Sequence, residues 1–258
     1  MEPADLAQAL LPRGPFLWGF LTGVGIYGAR YMVLAAIAFS VWYRGGARRK
    51  LQAAMPSGAQ IRREIGYSTA AVLIFGVVNG TIFGYGVATA KLYWNIEQHG
   101  WTYFWLSIPL MIVLHDAYFY WTHRLLHTRA LYRRVHAVHH LSKNPTPWTS
   151  YAFHPCESII EALGVVLIMA IMPWHPMAIL IFQTYSTVIN VYGHLGYELY
   201  PQNWPRHWLG RWLNTSVAHN AHHDKGRHNY GFYFLFWDRW MGTLAPDYEA
   251  SYREKLAV

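Results

Sequence analysis

Three stretches of this chain stay apolar for long enough to cross a bilayer, and a fourth does so over two shorter arms. The first runs from about 16 to 43, the second from about 67 to 90 and the third from about 101 to 121. A span needs ~20 mostly apolar residues, so each is sufficient. The fourth, from about 159 to 191, is broken by PWHP at Pro173–Pro176. Its arms of ~15 residues each make roughly 23 Å of helix, short of a ~30 Å hydrocarbon core. This predicts a helical hairpin that dips deep and returns to the side it left. Charge supports a membrane setting. Charged residues are 13% of the chain and hydrophobic residues 53%, whereas soluble proteins carry about 25% charged residues. The 13 Trp and 19 Tyr suit a membrane–water interface, where an amphipathic ring is satisfied on both sides. The alternative is an aromatic-rich soluble core.

The net charge of +8 does not form an interleaved nucleic-acid face. Basic residues gather at the ends of apolar segments, as the positive-inside rule and anionic headgroups favour. Arg44, Arg48, Arg49, Lys50, Arg62 and Arg63 lie between the first two blocks, against Glu64 alone. The loop from 91 to 100 has one Lys and one Glu. The basic loop is therefore expected in the cytoplasm. Counting spans forward brings the chain out near Trp121 and the hairpin back near His194 on that same side. The opening MEPADLAQALLPRGP has no basic start before an apolar core, so no cleavable signal is expected. Cys156 stands alone, which excludes an intrachain disulfide and a cysteine-rich zinc site. The expected fold is all-α: one integral membrane domain over 1–258. It comprises three transmembrane helices within 16–121, a histidine-rich segment at 122–157, the hairpin at 159–191 and a histidine-rich cap at 192–258.

Fifteen histidines are present, and they are not scattered. His123 and His127 lie in HRLLH, His136, His139 and His140 in HAVHH, His194 in YGHLGYE, and His219, His222 and His223 in HNAHH. On a helix, positions i, i+3 and i+4 share a face, so each HxxHH should present three ring nitrogens to one side. One such box arises by chance in roughly one chain in twenty, and two in on the order of one in a thousand. His99, His175 and His207, standing singly, are read as packed or water-bonded. Many neutral imidazoles gathered together lack a partner for their lone pairs, and many protonated ones would repel. Metal resolves both problems. Eight or nine nitrogens exceed one ion's capacity, so a pair of metals is expected. Structural zinc sites usually use cysteine; copper and nickel also accept imidazole. Redox iron is favoured, because an apolar lipid offers unactivated C–H bonds rather than a bond to hydrolyse. Soluble di-iron bundles use a Glu-x-x-His pattern that is missing here.

At HDAYFYWTHRLLH (115–127), HAVHH (136–140), PTPWTSYAFHPCE (145–157), HLGYE (194–198), HNAHH (219–223) and NYGFYFLFWDRWMGT (229–243) the chain resembles the fatty acid hydroxylase/sterol desaturase superfamily. The PTP…HP and NYG…WDR…GT stretches are most similar to its sterol-desaturase branch. The resemblance implies a membrane enzyme that activates dioxygen at two irons and hydroxylates or desaturates a lipid. A sterol or related lipid is the first choice; fatty-acyl, sphingoid and carotenoid substrates stay open. Zinc can occupy such a site in a purified protein. No fused haem-binding segment is evident, so electrons are expected from a separate donor, of cytochrome-b, ferredoxin or reductase type. The setting would be a bacterial inner membrane or the endoplasmic reticulum.

The resemblance implies nine ligands: His123, His127, His136, His139, His140, His194, His219, His222 and His223. No catalytic residue beyond these is expected. His115, Asp116, His154, Glu157 and Asp224 are candidates either for ligation or for contact with a ligand ring. For His154 the alternative is packing at a helix start; for His115 and Asp116 it is anchoring the span's end; for Asp224 it is a solvated acid. Trp237, Asp238 and Arg239 read as a structural clamp, Asp238 pairing with a basic group. Glu161 and Glu198, beside apolar runs, should each meet a histidine or an arginine. Arg30, inside the first block, should snorkel or meet a lipid headgroup. A competing reading of another class is a non-enzymatic membrane protein that binds zinc or nickel reversibly.

Overall fold

The apolar blocks become long helices. In the computed structural model, which describes residues 13–44 and 50–257, α1 spans Arg13–Phe39 and closes in a widened π-type turn over Ser40–Arg44. Helix α2 spans Gly58–Tyr85, α3 Gly100–Leu126 and the short α4 Arg129–Arg134. The hairpin arms are α5 (Pro155–Ile171) and α6 (Pro176–Gly193). Helices α7 (Ser216–Lys225), α8 (Phe236–Trp240) and α9 (Tyr248–Leu256) complete the chain. No β-strand forms among the described residues; only isolated bridges occur. The opening stretch up to residue 12 and the basic pair Arg48 and Arg49 lie outside the described residues.

Helices α1 and α2 are long and apolar enough to cross a membrane. Leu17, Trp18, Leu21, Met32, Val33 and Ile37 of α1 are exposed. Helix α3 has 27 residues, or ~40 Å of length, but His115, Asp116, His123 and Arg124 interrupt its second half. It therefore has a span's length without the unbroken apolar content of the other two. Helix α2 starts well ahead of its apolar edge near Tyr67. The Ser57 hydroxyl caps it, accepting from the Gln60 amide at 3.1 Å, and that continues the helix through polar GAQIRREIGYS.

Small residues set the α1–α2 contact. A Cβ on Gly80 would sit 2.9 Å from the Phe16 carbonyl oxygen, and one on Gly84 would sit 2.7 Å from Phe16 Cβ. Gly76, Gly80 and Gly84 recur at the four-residue spacing that lets membrane helices approach closely.

Two His-Pro dipeptides define the hairpin. Proline suits the first helical position and lacks the amide that a helix start leaves unpaired. The preceding histidine does the capping: His154 Nδ1 accepts from the Cys156 amide and His175 Nδ1 from the Met177 amide, each at 3.2 Å. The tip meets the α2–α3 loop, where the Trp174 amide donates to the Lys91 carbonyl at 3.0 Å and the Tyr93 amide to the Trp174 carbonyl at 3.1 Å. The arms, 17 and 18 residues long, thus extend from the histidine end to the opposite loop.

At the histidine end the loop from 50 to 57 and the first turns of α2 fold onto the site. Glu64, fully buried, accepts from Gln60, from Ser142 Oγ at 2.7 Å and from Thr146 Oγ1 at 2.6 Å. Tyr31 and Ser68 hydroxyls both donate to the Trp148 carbonyl, at 2.9 and 3.1 Å. The PTPWTSY stretch thereby braces α1 and α2 against the turn that follows HAVHH. Arg30 does not reach toward a headgroup. It turns inward, where its Nη2 donates to Gln183 Oε1 of α6 at 3.2 Å, because the α1 face it occupies packs against the hairpin.

Candidate metal centre

Four segments deliver the nine histidines. His123 lies in the last turn of α3, His127 caps that helix, and His194 caps α6. HNAHH lies on α7, whereas HAVHH forms a 3-10 stretch, His136–Leu141. The rings gather into two groups. His123, His127, His136, His140 and His222 form one; His139, His194, His219 and His223 form the other, and within each group the donor nitrogens all lie within 4.8 Å of one another. The expectation that each HxxHH turns three nitrogens to one side therefore needs correcting. On α7, positions i and i+4 are ~40° apart around the axis, but i+3 and i+4 are ~100° apart. His219 and His223 accordingly face one group, and His222 faces the other. HAVHH divides the same way, sending His139 across while His136 and His140 stay together.

The hydrogen bonds at the far side of each ring decide what faces inward. Nδ1 of His123 lies 2.9 Å from the Tyr230 carbonyl, that of His194 2.8 Å from the Asn190 carbonyl, and that of His223 3.1 Å from the Ser142 carbonyl. His222 Nδ1 lies 2.6 Å from the His228 carbonyl, and His136 Nδ1 2.6 Å from Glu157 Oε1. A carbonyl oxygen only accepts, so these Nδ1 atoms carry the proton and a neutral ring presents a bare lone pair at Nε2. Yet His123 Nε2 lies 3.2 Å from His136 Nε2, and His194 Nε2 lies 3.1 Å from His223 Nε2. His140 approaches His136, and His219 approaches His194, equally closely, at 3.1 and 3.0 Å.

Lone pairs this close repel. Protonation is not the remedy, because burial, with neighbouring rings second, pushes His136, His139, His219, His222 and His223 well below the usual imidazole range. Burial likewise takes His194 down to about 4 and His140 to about 3. Nε2 of His127 and of His222 is buried with no hydrogen-bond partner. A metal–imidazole bond is ~2.1 Å, so two nitrogens at right angles on one ion stand ~3.0 Å apart. The donor set fits one imidazole-bound transition ion in each group.

The remaining candidates separate. Glu157, buried, touches His136 as described. His115 lies in neither group; its Nδ1 is 3.0 Å from the Tyr233 hydroxyl. Asp116 meets no ligand ring. Its Oδ1 accepts from the Tyr233 and Phe234 amides at 2.7 and 3.3 Å, pinning the C-terminal segment to α3. His154 is the helix cap already described, and Asp224 is exposed at the end of α7. Asp238 pairs with no basic group among the described residues. It accepts from the Tyr230 and Gly231 amides at 2.9 and 2.8 Å and from the Thr243 hydroxyl at 2.7 Å, since a tight turn supplies donors that no distant arginine reaches. Among the described residues Glu198 likewise meets neither a histidine nor an arginine but the Tyr192 hydroxyl and the amides of Leu199, Tyr200 and Val217. No hydrogen bond or ion pair joins Glu161 to a histidine or an arginine among the described residues; it lines the cavity below.

Several contributors carry no signal of their own in sequence, because they act through backbone carbonyls: Ser142, Asn190, His228 and Tyr230. Asn229, in the NYG stretch, is the exception. It adopts φ 62°, donates to the Ala218 carbonyl at 2.9 Å and accepts from the Ala245 amide at 2.8 Å. That turn delivers the two flanking carbonyls to His222 and His123. Beside the site, a cavity of about 270 Å³ lies between α1, α2, α5 and α6. Phe119 and Phe153 line it, and their rings lie 4.9 and 5.1 Å from those of His123 and His139.

Residues 108–243 match the family model described as fatty acid hydroxylase. Lathosterol oxidase of Mus musculus is 31% identical over 192 residues, covering 72% of this chain and 61% of that protein. A Delta(7)-sterol 5(6)-desaturase of Gibberella zeae is 32% identical, covering 71% of this chain and 51% of its own length. A Delta(7)-sterol 5(6)-desaturase of Schizosaccharomyces pombe is 33% identical, covering 60% and 50%. The chain thus spans between half and two thirds of the length of these relatives. No solved structure matches it. With more than half of its residues matched, including every histidine of both groups, this chain belongs to the fatty acid hydroxylase family.

Proposed function

We propose that this chain is a membrane-embedded di-iron oxidoreductase that uses dioxygen to hydroxylate or desaturate a lipid, a sterol or related lipid first. The observation that carries this is the pair of histidine groups whose Nε2 lone pairs face one another at 3.0–3.2 Å. One iron would be held among His123, His127, His136, His140 and His222, the other among His139, His194, His219 and His223. The relatives, a lathosterol oxidase and sterol desaturases, support the substrate class. Bound iron would supply dioxygen activation and the power to break an unactivated C–H bond.

The chain's own residues do the rest. Backbone carbonyls and Glu157 hold the Nδ1 protons, which fixes each ring's tautomer and direction. Tyr230 and Phe119 pack against the rings of the larger group and Phe153 against His139, excluding water. The cavity presents an apolar body to the site through Phe119, Phe153 and Phe232. Electrons would come from a separate donor on the cytoplasmic side, where the basic loop and the histidine end coincide.

The test is lipid analysis of cells with and without the protein, together with metal analysis of purified material. The expected product carries one more oxygen, or two fewer hydrogens, than its precursor, and iron co-purifies. An iron-loaded, reduced protein that consumes no dioxygen with any sterol or acyl lipid would sink the reading.

A further inference from the structure

The cavity between α1, α2, α5 and α6 is walled mostly by apolar side chains, but Arg30 lines it too, near the middle of α1. Its guanidinium is fixed. Nη2 donates to Gln183 Oε1 at 3.2 Å, Gln183 Nε2 donates to the Tyr27 hydroxyl at 3.0 Å, and the guanidinium carbon stands 5.0 Å from the centre of the Tyr27 ring. Nε and Nη1 are buried and have no acceptor among the described residues. Among the described residues no carboxylate lies within ion-pair distance of it; the ion pairs present involve other residues. A guanidinium does not shed its charge, and a cation at the middle of an apolar span is costly to keep and marks a substrate or ion pathway. The cavity thus holds a fixed positive charge whose Nε and Nη1 meet no acceptor among the described residues, although the Glu161 carboxyl lines another part of it.

We propose that Arg30 anchors the polar end of the lipid: an acceptor oxygen, hydroxyl or carboxylate, on an otherwise apolar body. This rests on the lipid-oxidising reading of the same cavity and specifies what the substrate must carry. Gln183, which holds the guanidinium, precedes Asn190 on α6, and Asn190 holds His194 through its carbonyl. The separation is ~10 Å at ~1.5 Å per residue. An oxygen held at Arg30 therefore leaves hydrocarbon, rather than the oxygen-bearing carbon, against the histidine groups. Oxidation falls several carbon–carbon bonds away from the anchored oxygen.

The test uses the full chain, purified in detergent and loaded with iron, and two probe pairs. One pair is a 3β-hydroxysterol and its 3-deoxy counterpart; the other is a long-chain fatty acid and the alkane of equal length. Binding is read from tryptophan fluorescence, since Trp174 lines the cavity. In the pair that fits, the oxygenated member should bind about tenfold or more tightly than its counterpart, as a charged hydrogen bond allows. Arg30→Met should abolish that preference and Arg30→Lys retain part of it. Arg30→Met breaks no ion pair and costs one hydrogen bond to Gln183, and the melting temperature of the variant reports its folding; Gln183→Leu, which frees the guanidinium, should weaken the preference severalfold. No binding of any probe, equal affinity within both pairs, or a preference that survives Arg30→Met overturns the proposal. Which pair discriminates tells a sterol hydroxyl from an acyl carboxylate. Iron content on the same samples separates the two ideas: normal loading with no preference refutes the anchor alone, and absent loading refutes the di-iron reading alone.

Discussion

Glu157 shows how much one side chain can set at this site. Its Oε1 accepts a hydrogen bond from His136 Nδ1 at 2.6 Å, and both residues are buried. A carboxylate in that position raises the basicity of the ring and holds its tautomer. Glu157→Gln keeps the shape and removes the charge, so metal affinity at the larger group should fall about 10- to 100-fold. Competition with a calibrated chelator measures this; unchanged affinity would mean that packing alone orients His136. His139 and His222 test the division of the boxes. His139→Ala should empty the smaller group and His222→Ala weaken the larger, each leaving the other loaded, as metal analysis per chain would read. Simultaneous loss of both ions from either variant would argue against two separate groups. The rings also set a pH dependence. In the folded, metal-free chain His194 is down at about 4 and His140 at about 3, against an ordinary value of about 6.5. Between these limits the unfolded chain binds protons that the folded one refuses, so stability rises with pH. Metal-free protein should therefore melt at progressively lower temperature as pH drops from about 7 toward 4. A melting temperature flat across that window would show that the rings are not buried neutral.

At the scale of elements, the sequence displays spacing and hides direction. The apolar blocks and the PWHP break foretell the long helices and the hairpin, because burial in lipid or core imposes a length that is visible residue by residue. HxxHH marks a candidate metal site. It does not announce that one box straddles two groups, since that depends on how α7 and the 136–141 turn are rotated against each other by distant contacts such as Glu64 to Ser142. His154 illustrates the same limit, because a histidine before proline is as good a helix cap as a ligand. Asp116 is legible only once the fold brings residues 233 and 234 to α3. Asp116→Ala should cost about 1–3 kcal/mol, because it leaves the Tyr233 and Phe234 amides without their acceptor. It should also loosen the Tyr230 carbonyl that holds His123, so thermal melting and metal affinity should fall together. The α1–α2 contact offers a cleaner case. Gly80→Val places a side chain against the Phe16 backbone, 2.9 Å from its carbonyl oxygen. Backbone cannot step aside as a flexible side chain can, so about 1–3 kcal/mol of destabilisation is expected. Detergent melting measures it, and an unchanged transition would mean that α1 and α2 are free to separate.

The whole molecule is a cap of imidazoles on an apolar bundle, and the two parts meet at one wall of aromatic rings. Sequence makes the bundle and the cap separately visible. It cannot show the cavity between them, because an apolar residue that faces lipid and one that faces an internal void are written with the same letters. Val165 and Met169 of α5 line that cavity, while Leu163 and Leu167 on the same helix are exposed. This difference permits a test that leaves the histidines untouched. Val165→Trp adds an indole to a cavity of about 270 Å³, and a large aromatic occupies much of such a space. Leu167→Trp puts the same group on the exposed face, where ring and lipid are compatible. If the cavity seats the substrate, Val165→Trp should cut lipid turnover at least about tenfold through a raised KM, because an indole displaces volume that the apolar body must fill. Iron per chain should match the parent protein, and Leu167→Trp should behave like the parent. Equal turnover in the two variants would place the substrate elsewhere on the bundle. Loss of iron in Val165→Trp would instead show that α5 transmits strain to Glu157 at its own first turn, making the hairpin part of the metal site's scaffold rather than a wall beside it.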